Sequence, residues 1–453
     1  MSKNILATQS LSFELAPGGA LRGELRVPGD KSISHRAVML AALAEGTTEI
    51  DGFLEGADSL ATLAAFRAMG VAAEGPSAGR LRVHGVGLHG LREPAQALDL
   101  GNSGTSMRLL CGLLAGQRFA ATLIGDTSLS RRPMSRVIEP LRRMGAHIEA
   151  TPEGRAPLGL LPVEHLHGID YALPIASAQV KSSLLLAGLY AQGETCVTEP
   201  APTRDHTERM LGAFGYPLRR TDNRVCLSGG GRLVAAPLSI PADLSSAAFF
   251  LVGASIAPGS DLTLTQVGMN PTRLGVVTIL RQMGADIAIE RPRELGGEPV
   301  ADLRVRAAPL HGIAIPEEQV PLAIDEFPAL FIAAACADGE TRLSGATELR
   351  VKESDRIQVM ADGLASLGVE AEPRPDGMRI RGLGAAGLLG GGEVEAHGDH
   401  RIAMAFAISA LRAAAPIRIA DCANVETSFP DFAGLAAGVG LPITELRELE
   451  RSA

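Results

Sequence analysis

Helix-like segments that close on a glycine recur six times along this chain, and no other feature limits its possible folds as much. The endings run Phe66 to Gly70, Leu141 to Gly145, Leu211 to Gly215, Leu280 to Gly284, Leu364 to Gly368 and, more loosely, Leu435 to Gly440, with closing glycines 69 to 84 residues apart. A second landmark, an alanine- and leucine-rich helix that ends before a β-rich segment, recurs in step: Ala41 to Gly46, Leu110 to Gly116, Leu186 to Gly193, Phe250 to Gly259, Ile332 to Gly339 and Phe406 to Ala415. Two landmarks in one order mark structural repeats. Each copy reads helix, short strand, helix stopped by glycine, strand, turn, strand. In the first copy these are Lys31 to Ala44, Thr47 to Ile50, Leu60 to Met69, Val71 to Glu74 and Leu81 to Val83. Three copies make a half of about 215 residues, a comfortable domain, and the divide falls near Pro241-Ala242-Asp243. The reading is two similar α/β domains joined by a hinge.

The repeat gives the polar clusters a common address at the start of each first helix. These starts are Lys31-Ser32, Asn102 to Thr105, Ser177-Ala178-Gln179, Asp243 to Ser246, Asp325-Glu326 and Asp399-His400-Arg401. Asp30 is a good N-cap for the first of them. Free N–H groups and the positive helix end favour an anion there, and Lys31 and Ser32 add to that pull. Within a helix Ser32 and Arg36 share a face, as do Lys31 and His35. With pseudo-symmetry, six such termini converge on an interdomain cleft without a P-loop, and no GxxxxGK[ST] is present. Further cations precede second helices, in Ser130-Arg131-Arg132-Pro133, Thr203-Arg204-Asp205-His206 and Val351 to Arg356. Lys352 and Arg356, read as i,i+4 on a helix, point one way with Glu353 on the flank. Solvated helix faces usually account for such runs. Recurrence at equivalent helix starts argues for a site.

Composition narrows the ligand. A net charge of -9 gives no general attraction to polyanions, so an anion site must be a local focus of Arg and Lys. Aromatic content of 3% without Trp removes the stacking platforms that RNA binders use. Cys111, Cys196, Cys226, Cys336 and Cys422 are odd in number and scattered, which suits a reducing cytoplasm and neither a disulfide framework nor a zinc knuckle. Cys111, inside an apolar helix, reads as core filler. The segment MSKNILATQS lacks the pattern of a leader, and no apolar run approaches ~18 residues, so the expected location is cytoplasmic, away from membranes.

PGDKSISHR, GNSGTSMR, SRRP, ASAQVKS, TRDHTE, IDEFP, VKESDR and GDHRIAM, in that order, closely resemble the 5-enolpyruvylshikimate-3-phosphate synthases (3-phosphoshikimate 1-carboxyvinyltransferases) of the shikimate pathway, from about Leu21 to Phe432. The spellings SISHR, SAQVKS and ELRVKESDR look most like the bacterial class II subgroup. The resemblance implies an inside-out α/β barrel fold: two domains of three βαβαββ repeats each, with residues 24–241 as the first half and 1–23 plus 242–453 as the second. It implies transfer of the enolpyruvyl group of phosphoenolpyruvate to the 5-hydroxyl of shikimate 3-phosphate, on the way to chorismate and the aromatic amino acids. No metal, organic cofactor, nucleic acid or membrane takes part, and the chain is expected to act as a monomer.

By the same resemblance Lys31, Asn102, Gly104, Thr105, Arg132, Gln179, Arg356 and Arg401 hold phosphoenolpyruvate. Lys31, Ser32, Arg36, Ser177, Ala178, Gln179, Arg204, Asp325 and Lys352 hold shikimate 3-phosphate. Asp325 is the candidate base at the 5-hydroxyl, Glu353 the acid and base at carbon, and Lys31 a stabiliser of charge or proton shuttle. Arg204 contacts the shikimate phosphate or pairs with Asp205; His206 orients it or caps its helix; His35 and His400 are structural neighbours of the site. Because neither half holds the whole set, closure on ligand binding is expected. Two departures stand out. Thr427-Ser428-Phe429-Pro430 lacks the lysine that many members carry before the final proline, and Leu109 replaces a common proline. Gly104 matches members sensitive to the herbicide glyphosate.

Two rival readings remain. One is the related transferase acting on UDP-N-acetylglucosamine, which normally has Asn after the first lysine and a reactive loop cysteine, whereas Ser32 follows Lys31 here. The other is a catalytically silent anion binder on the same scaffold, against which the acids Asp325 and Glu353 argue.

Overall fold

A computed structural model describes residues 9–449; the N-terminal segment read above as carrying no leader lies largely outside them. The chain forms two compact units. The first comprises Pro28–Pro241 with Arg293–Val300, and the second Met1–Val27, Ala242–Pro292 and Ala301–Ala453. The repeats appear as first helices Lys31–Leu43, Gly104–Ala115, Ala178–Gly188, Leu244–Ile256, Phe327–Cys336 and His400–Ser409. Each is buried along most of its length. Second helices are Ala57–Ala68, Ser135–Arg143, His206–Ala213, Gly275–Gln282, Arg356–Ser366 and Phe432–Gly438.

Every second helix ends the same way. Gly70, Gly145, Gly215, Gly284, Gly368 and Gly440 all take positive φ, between 75° and 111°. In each case the glycine N–H and the next N–H donate back to carbonyls of the last turn, as Gly70 does to Arg67 and Val71 to Phe66. This is the Schellman closure, and it is why the sequence landmark is a glycine.

Among the described residues the first unit carries four small sheets, one of them a two-stranded parallel pair, and the second carries three; most of them mix parallel and antiparallel strands. In the second repeat Leu98–Asp99 runs parallel to Ala121–Ile124, which pairs antiparallel with Leu158–Leu161, itself antiparallel to His147–Glu149. The sixth repeat is completed from the other end of the chain: Gln9–Leu15 lies between Ile417–Ala420 and Ile443–Leu449, antiparallel to both. The fourth borrows Arg22–Leu25, parallel to Asp261–Leu264. That pairing moves the boundary from 23/24, as read from the sequence, to Val27/Pro28. The tip of the hairpin formed by Asp286–Leu295 and Glu298–Arg306 also departs from the sequence division, since residues 293–300 group with the first unit. Sequence position alone carries no sign of that excursion.

Each unit has its own apolar core, one around Phe66, Leu110, Leu141, Leu184 and Phe214, the other around Phe13, Phe250, Phe331, Leu364 and Phe406. One reading is corrected: Cys196 and Cys226 form a disulfide. They lie directly opposite each other on the antiparallel strands Glu194–Thr198 and Arg224–Ser228, and spacing in sequence gives no hint of that register. Among the described residues no helix is long and apolar enough to cross a membrane.

Candidate active site

In the first unit the starts of the three first helices are tied to one another by polar side chains. Asp30 caps the first by accepting from the Ile33 N–H at 2.8 Å. His35, fully buried on that helix, bonds Thr62 Oγ1 at 2.8 Å and Ser106 Oγ at 3.2 Å. Burial, then the nearby charges of Lys31 and Arg36, push its pKa down to about 3, so the ring is neutral and structural. From the same helix Arg36 reaches the third repeat, donating to Ser182 Oγ at 2.9 Å and Thr207 Oγ1 at 2.7 Å. Burial lowers its pKa to about 10, against the pull of Glu208 and Asp30, which still leaves it charged at neutral pH.

The second and third helices meet through Gln179, whose Nε2 donates to Thr105 Oγ1 at 3.0 Å and whose Oε1 accepts from Arg108 Nη1 at 2.9 Å. Arg132 donates to Asn102 Oδ1 at 2.6 Å and so hangs over the start of the second helix. Gly104 is the tight point between these cations: a Cβ there would stand 2.8 Å from Arg108 Nη1 and 3.0 Å from Arg132 Nη1. Lys31 pairs with Asp58 at 3.0 Å. Ser177 caps its helix through Val180 N–H, with Ala178 the first helical residue. Sequence reasoning passed over Arg108 and Asp58. Arg108 ends the GNSGTSMR motif and was within reach of notice; Asp58 sits in an unremarkable helix start.

Arg204 lies near enough to Arg36 to lower its pKa by repulsion. Asp205 takes ion pairs from Arg209 at 2.9 Å and Arg220 at 2.7 Å. His206 bonds Glu298 at 2.8 Å through Nδ1, a partner on the hairpin tip that the sequence did not suggest.

In the second unit the candidate residues gather around Asp325. Its Oδ1 stands 3.3 Å from Lys352 Nζ and 3.6 Å from Arg356 Nη1. Arg401 Nη1 donates to the Asp325 carbonyl at 3.1 Å. Arg356 pairs with Glu353 at 2.6 Å and Asp399 at 2.8 Å. Burial opposes its charge, but Asp399, Glu353 and Asp325 outweigh that and raise its pKa above the ordinary arginine value. Lys352 and Arg356 do not share a helix face, as their spacing suggested. The helix starts only at Arg356, and Lys352 follows a 3₁₀ turn over Thr347–Val351. What aligns the two cations is their common carboxylate. Thr427 only closes its own turn, Oγ1 to Asn424 O at 2.7 Å, so Lys352, Arg356 and Arg401 are the site cations brought together here.

Each unit thus presents cations and carboxylates at helix starts, the arrangement that binds small anions and moves protons. The family model described as EPSP synthase (3-phosphoshikimate 1-carboxyvinyltransferase) matches residues 15–435. The chain belongs to the EPSP synthase family. Within the family it is 70% identical to the 3-phosphoshikimate 1-carboxyvinyltransferase of Alkalilimnicola ehrlichii, over 96% of this chain and 97% of that one. It is 68% identical to the protein of the same name from Methylococcus capsulatus, over 95% and 98%. Among solved structures, the EPSP synthase from Acinetobacter baumannii superposes with a TM-score of 0.87 at 56% identity, covering 97% of this chain and 100% of that one. The enolpyruvyl transferase NikO from Streptomyces tendae shares the fold at 17% identity and a TM-score of 0.78, over 97% and 100%.

Proposed function

We propose that this chain catalyses the family reaction: the 5-hydroxyl oxygen of shikimate 3-phosphate bonds to C2 of phosphoenolpyruvate, and phosphate leaves. The observation that carries the assignment of roles is Asp325, a carboxylate held beside Lys352 and Arg356, with Glu353 paired to the other terminal nitrogen of the same guanidinium. Two acids within one cationic cluster suit a reaction that takes a proton from oxygen and moves another on and off carbon.

In the addition step Asp325 accepts the hydroxyl proton and Glu353 protonates the methylene carbon. The tetrahedral product then loses a proton from its new methyl group to Glu353 as the carbon–phosphate oxygen bond breaks. Lys31 offsets the charge that builds on the intermediate. Arg132, Arg356 and Arg401, with the peptide N–H groups near Gly104 and Thr105, hold phosphoenolpyruvate, since planar guanidinium groups suit carboxylate and phosphate. Ser32, Arg36, Ser177, Ala178, Lys352 and Arg204 hold the shikimate ligand, while Gln179 serves both. The reading places a monomer in the cytoplasm, working without metal or organic cofactor in the shikimate pathway, with glyphosate as an inhibitor.

Phosphate release with phosphoenolpyruvate and either shikimate 3-phosphate or UDP-N-acetylglucosamine tests it. Release with the shikimate acceptor alone is expected; release with the nucleotide sugar, or with neither acceptor, overturns it.

A further inference from the structure

The two bonded cysteines stand apart from the other three. All five cysteines are buried, Cys196 and Cys226 at 3% exposure each; burial pushes the thiols of Cys111, Cys336 and Cys422 up to about 12, where reaction with a disulfide is slow. Cys196 and Cys226 lie on the opposite face of their sheet from the core. Their strand neighbours Val197, Val225 and Leu227 pack into the apolar cluster of the first unit, and the two cysteines do not. Alternation along the strand puts Glu194 on the cysteine face, with Oε2 3.5 Å from Cys196 Sγ. In register, Asp170 flanks Cys196 and Arg219 flanks Cys226. The sulfur atoms are thus roofed by exposed side chains, the ion pair of Arg219 with Glu194 and the fork of Arg224 on Asp170. Such surface pairs separate readily, because they contribute little.

We propose that Cys196 and Cys226 are a reversible redox site that exchanges with low-molecular-weight disulfides of the glutathione type. One cysteine thiolate attacks a sulfur of the reagent, expels one small thiolate and leaves a mixed disulfide. The second cysteine thiolate then displaces the other half and closes the protein disulfide. Two electrons pass to the reagent, and the two thiol protons end on the two released small thiols. The register favours the closure, since it sets the two cysteines directly opposite each other on paired strands. The fold survives opening, because the strands on either side remain paired through Thr195–Leu227 and Val197–Val225. Disulfides in a reducing compartment are usually transient and redox-sensing, which matches this placement. The consequence is local: the strand bearing Cys196 follows the helix that carries Gln179 after one short intervening strand, Ala191–Gln192, so oxidation stiffens the third repeat.

The test uses the full chain, reduced with dithiothreitol, desalted, and equilibrated with glutathione disulfide. After acid quench and unfolding, alkylatable thiols are counted by mass spectrometry. Five thiols should fall to three, with a Cys196–Cys226 linked peptide, and return to five when dithiothreitol is added to the native protein. The melting temperature should rise by several degrees on oxidation. In Cys196→Ser, and independently in Cys226→Ser, that rise should vanish. Five thiols retained under oxidising conditions, a link to any other cysteine, or a bond that native-state dithiothreitol does not open would overturn the proposal. So would full protection of the reduced pair by one equivalent of Zn²⁺ that is lost in Glu194→Gln, which would assign a metal site instead.

Discussion

Arg356 donates through Nε to Asp399 Oδ2 at 2.8 Å, and the two side chains are 1% and 0% exposed. The pair joins the start of one second helix to the start of the last first helix, where Asp399 also caps by accepting from the Arg401 N–H at 3.0 Å. One carboxylate therefore orients two of the arginines assigned to phosphoenolpyruvate.

Removing Arg356 leaves Asp399 as a buried charge without its main partner. Arg356→Met should lower stability by about 3–5 kcal/mol, read as a shift in the midpoint of urea unfolding. Arg356→Lys keeps the charge but loses the fork, so KM for phosphoenolpyruvate should rise even where the fold is retained. An unchanged KM in Arg356→Lys would remove Arg356 from the substrate pocket.

Asp325→Ala removes the proposed base. The expected loss is in kcat, by roughly 10²–10⁴-fold, with a smaller change in KM for shikimate 3-phosphate. Steady-state phosphate release separates the two, and wild-type kcat would exclude Asp325 as base.

Gly104→Ala places a methyl group against Arg108 and Arg132, whose nearest nitrogens would be 2.8 and 3.0 Å away. Both are ends of flexible side chains, so the fold should persist while the guanidinium groups shift. KM for phosphoenolpyruvate should rise several-fold, and inhibition by the bulkier glyphosate should weaken more. Inhibition titrations on both proteins give the comparison.

His35 links acidity to stability. Its folded pKa is depressed to about 3 from the ordinary 6.5, so the unfolded chain binds the extra proton between those values. Stability from this group is fully present above pH 6.5 and is lost as pH falls toward 3. At pH 5 the loss is roughly 2 kcal/mol. Urea unfolding at pH 7 and pH 5 should show it, and His35→Gln should flatten the difference.

Gly368 isolates the worth of a helix stop. A Cβ there meets no atom within 4 Å, so Gly368→Ala is opposed by its φ of +80° alone. A fall of about 1–2 kcal/mol is expected, measured by the same unfolding midpoints.

The sequence by itself determined the periodicity. The six glycines had to close helices, because a left-handed residue that ends a helix is nearly always Gly, and the polar starts of the first helices followed from counting back. It also singled out Lys31, Arg132, Asp325, Lys352, Arg356 and Arg401, though not Arg108 or Asp58, among the charged residues at helix starts. What it left undecided was partnership. Asp325 holds Lys352 beside Arg356 across a helix boundary that the i,i+4 reading missed. Glu298 meets His206 from a hairpin 92 residues away, and Arg22–Leu25 completes a sheet begun at Asp261. Cys196 meets Cys226 only because two strands settle into one register. Local chemistry dictates caps and turns, since their hydrogen bonds close within a few residues. Long-range pairing depends on which buried surfaces meet, and only the packed tertiary structure decides that.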